Sequence, residues 1–85
     1  MFTDLIILWL KNTYGSVVVH DRIPGLVILR TKTCFVNFWM HNQYVEYVLY
    51  CKTIRRDFVD PNLFDDIMND INNLDTNNLN VNNQK

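Results

Sequence analysis

At 85 residues the chain is the size of one small domain, with eight basic and nine acidic residues and a formal net charge of -1. That balance argues against a dedicated nucleic-acid protein, whose phosphate contacts need clustered Lys and Arg, and equally against an acidic mimic of DNA. Two cysteines are far below the density of a secreted disulfide scaffold and point to a reducing, intracellular setting in cytoplasm or nucleus.

The chain opens on Leu5-Ile6-Ile7-Leu8-Trp9-Leu10, an apolar run with no basic leader, preceded by Asp4 and ended by Lys11-Asn12, far short of a membrane span. Thr3 as cap, Asp4 in the positive first turn and Gly15 as the left-handed terminator predict a helix over residues 4–14. Its apolar residues run nearly all the way round, so it should be covered on more than one side. Periodicity alone leaves a buried strand at residues 5–10 as the alternative.

Residues 16–20 read as a short strand, and Asp21-Arg22-Ile23-Pro24-Gly25 supplies turn chemistry before a returning strand at 26–30. Thr31-Lys32 can link it tightly to the next strand, or residues 26–40 can form one bent strand. Two runs then face each other across polar His41-Asn42: 33–40 and 43–51. Taking that pair as the turn sets Cys34 opposite Leu49, Val36 opposite Tyr47, Phe38 opposite Val45 and Met40 opposite Gln43 on a core face. The other face pairs Thr33 with Tyr50, Phe35 with Val48, Asn37 with Glu46 and Trp39 with Tyr44. A Thr31-Lys32 turn adds Ile28 beside Phe35 and Arg30 beside Thr33.

Asp60-Pro61 opens a second helix, in which Leu63, Phe64, Ile67, Met68, Ile71 and Leu74 recur at helical spacing. Asp65, Asp66 and Asp70 fall on the opposite, solvated side. Beyond Thr76 little remains to bury, so the single domain is expected to end at residue 76, with 77–85 a disordered Asn-rich tail. The order predicts a two-layer α+β domain: a four-stranded antiparallel sheet with an N-terminal and a C-terminal helix.

Both faces of such a sheet carry large apolar side chains, and the chain can readily cover only one. The outer stripe of Ile28, Phe35, Trp39, Tyr44, Val48 and Tyr50, fringed by Arg30, Glu46 and Lys52, is therefore the candidate partner-binding site, aromatics with an interspersed Arg being typical of interface hot spots. The competing arrangement has helix one crossing to cover this stripe. The same aromatics could stack the bases of a single strand, but Glu46 sits among them and no basic surround is evident.

Other chemistry finds less support. His20, His41, Cys34 and Cys51 lack zinc-type spacing, and the thiols read as reduced core residues. The single serine, Ser16, has no evident base, and a two-histidine nuclease from His20 and His41 rests on an ordinary histidine count. Arg55-Arg56 reads as local neutralisation of Asp57 and Asp60. No cofactor is implied. The glycine and asparagine signatures of Sm-like domains and the basic second helix of double-stranded-RNA-binding domains are absent, so no family is assigned. Twelve asparagines with no alanine match AT-rich coding, as in a virus or an AT-rich microbe. The expectation is a small non-enzymatic interaction module, of the kind a virus uses as an accessory protein, that binds a host protein or forms a homodimer through the aromatic face.

Overall fold

A computed structural model describes the backbone of residues 2–83 and the side chains of residues 3–76. Of the tail expected at 77–85, residues 77–83 continue the backbone of the C-terminal helix, and 84–85 lie outside the described residues. The order is α1 (Phe2–Tyr14), β1 (Val17–Val19), β2 (Leu26–Arg30), β3 (Phe35–Met40), β4 (Tyr44–Leu49), β5 (Lys52–Asp57) and α2 (Leu63–Asn83). The α+β class and the two terminal helices stand, but the antiparallel sheet has five strands in the order β1-β2-β3-β4-β5 rather than four.

The extra strand is β5, whose sequence Lys52-Thr53-Ile54-Arg55-Arg56-Asp57 holds one apolar residue and so lacks the alternation that marks a half-buried strand. It forms because the Tyr50-Cys51 turn places both residues at positive φ, 54° and 63°, and folds the chain straight back on β4. Two consecutive left-handed residues define the tight hairpin turn whose twist matches the strands. Cys51 is accordingly exposed in a turn, not buried in a strand as expected. Cys34 lies at the turn between β2 and β3, partly buried against the core.

The β2–β3 and β3–β4 hairpins both turn one residue later than expected. Thr31 N–H donates to the Cys34 carbonyl at 2.8 Å, and the Thr31 hydroxyl accepts from Cys34 N–H at 3.1 Å, so Lys32-Thr33 forms the tip. His41 N–H donates to the Tyr44 carbonyl at 2.9 Å while the His41 ring stacks on the Tyr44 ring, making Asn42-Gln43 the second tip. Pairings therefore slide by two: Phe38 faces Tyr47, Trp39 faces Glu46 and Arg30 faces Phe35. A two-residue slide preserves which side chains share a face, so the division into core and outer sides survives.

Gly25 makes the first hairpin possible. Its φ is +81°, its carbonyl accepts from Met40 N–H at 2.7 Å, and a Cβ there would lie 2.7 Å from the Met40 carbonyl oxygen. Gly15, also at +81°, ends α1 by donating to the Lys11 carbonyl at 2.9 Å.

Both helices lie on one side of the sheet. Ile6 and Leu10 of α1 join Val27, Leu29, Val36, Phe38, Val45, Tyr47 and Leu49 of the strands, and Leu63, Ile67, Ile71 and Leu74 of α2, in one buried cluster. Trp9 bridges the helices, its ring 4.6 Å from that of Phe64. Helix α1 begins at Phe2, placing Thr3 inside it rather than at its cap, and it does not cross to the outer face. Nor is it covered all round: Leu5 and Leu8, one turn apart, remain exposed.

Candidate functional site

The uncovered face can be laid out strand by strand from the observed register. Its central row carries Leu26 on β2, Trp39 on β3, Glu46 on β4 and Arg55 on β5. The next row holds Val18, Ile28, Asn37, Val48 and Thr53, and Arg30 and Phe35 lie beyond it. Phe35 is 70% exposed, Val18 63%, Val48 52% and Trp39 39%. Large apolar side chains this exposed and this close together are uncommon outside interaction sites. Leu26, by contrast, is buried beside Trp39 and gives the patch a floor.

Of the nine residues expected here, Ile28, Arg30, Phe35, Trp39, Tyr44, Glu46 and Val48 share the face. Two do not. Tyr50 occupies the left-handed turn beyond β4, half exposed, and Lys52 pairs with buried Leu49 and so belongs to the helix side at the sheet's margin. Both displacements follow from the turn at Tyr50-Cys51, which ends the strand earlier than its apolar run suggests.

One corner of the face is polar and organised. The His41 Nε2 lies 3.0 Å from Glu46 Oε1, and the His41 ring stacks on Tyr44 with centroids 4.4 Å apart. On the far side of Tyr44, the Arg55 guanidinium sits 3.8 Å over the ring and its Nε donates to Asp57 Oδ1 at 3.2 Å. A cation over an aromatic face is held by the ring quadrupole. This group fixes the Tyr44 ring and leaves the apolar row beside it open. Val18, Arg55 and Asp57 are members of the face that the sequence reading missed. The signal available for Arg55 was its opposite charge to Glu46, its cross-strand neighbour once β5 is a strand.

A second polar group sits on the covered side. The Tyr47 hydroxyl donates to the Asp70 carboxylate and accepts from Arg56 Nε at 3.2 Å; Arg56 Nη2 donates to Asp70 Oδ2 at 2.8 Å, and Nη1 lies 3.6 Å from Asp66 Oδ2. Burial, followed by the hydrogen bond to Asp70, pushes the Tyr47 phenol well above its ordinary value. The hydrogen bond to Asp70, reinforced by Tyr47, holds Arg56 more firmly protonated than usual. Asp66 and Asp70 are therefore not a solvated helix side, and Arg56 is not a local neutraliser of Asp57 and Asp60: it ties β5 to α2. Asp75 reaches the sheet too, accepting from the Thr33 hydroxyl at 2.7 Å.

The two histidines serve separate turns. His20 Nδ1 accepts from the backbone N–H groups of Arg22 and Ile23 at 3.1 and 3.0 Å, stitching the β1–β2 loop, whereas His41 belongs to the Tyr44 stack.

Fold and face together define the chain as an α+β domain with a one-sided helical cover. Comparison with protein-family models, curated proteins and solved structures finds no match. Among the described residues no helix is long and apolar enough to cross a membrane.

Proposed function

We propose that the protein is a non-enzymatic interaction module whose working surface is the outer sheet face, binding a protein through Phe35, Trp39, Ile28 and Val48. The observation that carries this reading is the coexistence of a well-filled core on one side of the sheet with a 70%-exposed Phe35 and a half-exposed Val48 on the other. Burying such side chains contributes roughly 25 cal/mol per Å² before the costs of association. Charge on the face is balanced, Arg30 and Arg55 against Glu46 and Asp57, which suits a protein partner better than a phosphate backbone.

Phe35→Glu tests it. The variant is expected to keep the wild-type circular dichroism spectrum and melting temperature in dilute solution while losing association. An unfolded Phe35→Glu chain would make the face part of the core and end the proposal. Retention of single-stranded oligonucleotides that weakens with salt and vanishes in Arg30→Glu would replace the protein partner with a nucleic acid.

A further inference from the structure

We infer that the cleft between the end of α1, the β2–β3 turn and α2 binds a small sugar phosphate. The cleft has a volume of about 540 Å³, within the range of small-molecule sites. Such sites are mostly apolar, but here all nine described residues of the lining carry a polar side-chain group, among them Tyr14, Ser16, Arg30, Lys32, Asn72 and Asp75. Its ligand must be polar to match. A cavity of about 450 Å³ at the opposite end of β3 offers less, because its charged residues, Arg55 and Asp57, already engage one another.

The walls are pinned from two sides. Arg30 N–H donates to the Ser16 carbonyl at 2.9 Å, which ties β2 to the chain leaving α1, and the Thr33 hydroxyl donates to Asp75 Oδ1 at 2.7 Å, which ties the β2–β3 turn to α2. The cleft is thus formed before anything enters it, and a ligand bears little cost of ordering it. Among the described residues neither Arg30 nor Lys32 has a carboxylate partner, whereas Arg55 is paired with Asp57 and Arg56 with Asp66 and Asp70. Both are exposed, so they can turn onto an anion. A phosphate monoester carries about two negative charges at neutral pH, which matches the two cations, and the guanidinium fork suits two of its oxygens at once.

The remaining lining calls for hydroxyl groups on the same ligand. Arg30 and Lys32 only donate and the Asp75 carboxylate only accepts, while Tyr14, Ser16 and Asn72 do both. A bare anion satisfies the cations but is repelled by Asp75; a sugar phosphate sets its phosphate on the hairpin side and donates a hydroxyl to the α2 carboxylate. Tyr14 supplies an independent observation. Its hydroxyl is buried with no hydrogen-bond partner among the described residues, an arrangement that costs stability. Burial, followed by the Asp75 charge, raises its pKa, so it stands as a neutral donor rather than a phenolate. A small swing of the ring would bring that donor to a ligand oxygen. The cleft shares only Arg30 with the outer-face patch, and neither reading depends on the other.

Amide NMR spectra of the full chain, titrated with ribose 5-phosphate, inorganic phosphate and ribose, test the inference. Ribose 5-phosphate should bind with a dissociation constant of about 1 mM, shifting amides of residues 13–16, 30–33 and 72–76, and inorganic phosphate should bind about ten-fold more weakly. Ribose alone should leave the spectrum unchanged. Lys32→Gln, at the exposed turn tip and outside the outer-face patch, should keep the fold and weaken ribose 5-phosphate about five-fold. Asp75→Asn should instead cut the preference for ribose 5-phosphate over phosphate to about two-fold, a ratio that a loosened α2 would not by itself change. A spectrum that ribose 5-phosphate leaves unmoved, shifts centred elsewhere, or a Lys32→Gln chain that binds as tightly as wild type overturns the site. Phosphate binding as tight as that of ribose 5-phosphate means an adventitious ion only, and a preference undiminished in Asp75→Asn removes the hydroxyl contact; either overturns the assignment to a sugar phosphate.

Discussion

The two faces of this sheet are built from the same kinds of residue and differ chiefly in what lies over them. Each has a phenylalanine from the central strand β3, Phe38 beneath the helices and Phe35 above open water, and each has a tyrosine engaged by an arginine and an acid: Tyr47 with Arg56 and Asp70, Tyr44 with Arg55 and Asp57. On the covered side those groups close on one another across layers, from β5 to α2. On the bare side they close only sideways, along the sheet. Chemistry of the side chains thus does not distinguish the covered face from the bare one; the return path of the chain does, and here both helices return to the same side.

Truncation should expose that difference most strongly. Phe38→Ala empties a fully buried site and is expected to cost about 3–5 kcal/mol, a large part of the stability of so small a domain, whereas Phe35→Ala should change the monomer's stability by less than about 0.5 kcal/mol. Urea denaturation of both variants in dilute solution measures the contrast. Equal costs would mean that the outer face is folded over by some part of the chain.

The polar groups should separate in the same direction by a smaller amount. Asp70→Ala strands a half-buried guanidinium and the Tyr47 hydroxyl, and is expected to cost about 2–3 kcal/mol. Asp57→Ala removes an exposed partner of Arg55 and should cost about 0.5 kcal/mol or less. The Tyr47 phenol gives the covered network a pH signature. Its folded pKa is raised above the ordinary value of 10.0, so its contribution is fully present below pH 10 and is lost as pH climbs beyond it, because the unfolded chain gives up a proton that the folded chain keeps. Stability should fall with pH above about 10, and Tyr47→Phe should flatten that fall.

Which side chains share a face was legible in the sequence, because strand alternation fixes parity and the error at both hairpins was an even number of residues. Exact pairing was not. It depends on Thr31 and His41 closing the last pairs of their hairpins with a hydroxyl and a stacked ring, interactions that exist only once the strands are in place. Helix α2 is legible in its apolar stripe, yet its acids read as solvated because the cation that Asp66 and Asp70 meet, Arg56, lies on a strand with a single apolar residue. Seven of the nine expected site residues share the outer face; Tyr50 and Lys52 were misplaced by a turn that carries none of the usual turn residues.

That turn supplies the smallest and most specific test of the layout. Hairpins with two left-handed residues favour Asn-Gly because a side chain with a Cβ loses roughly 1–2 kcal/mol per residue in that conformation. Tyr50 and Cys51 both bear that cost, at φ of 54° and 63°. Cys51→Gly should therefore stabilise the chain by about 1 kcal/mol, less what glycine adds to the entropy of the unfolded state, read as a rise in the urea midpoint with an unchanged slope. Since Cys51 is exposed, no packing is lost to offset the gain. A destabilised variant would mean that the β4–β5 turn is not left-handed, and then neither Arg55 on the bare face nor Arg56 on the covered one would be where the network and the patch require them.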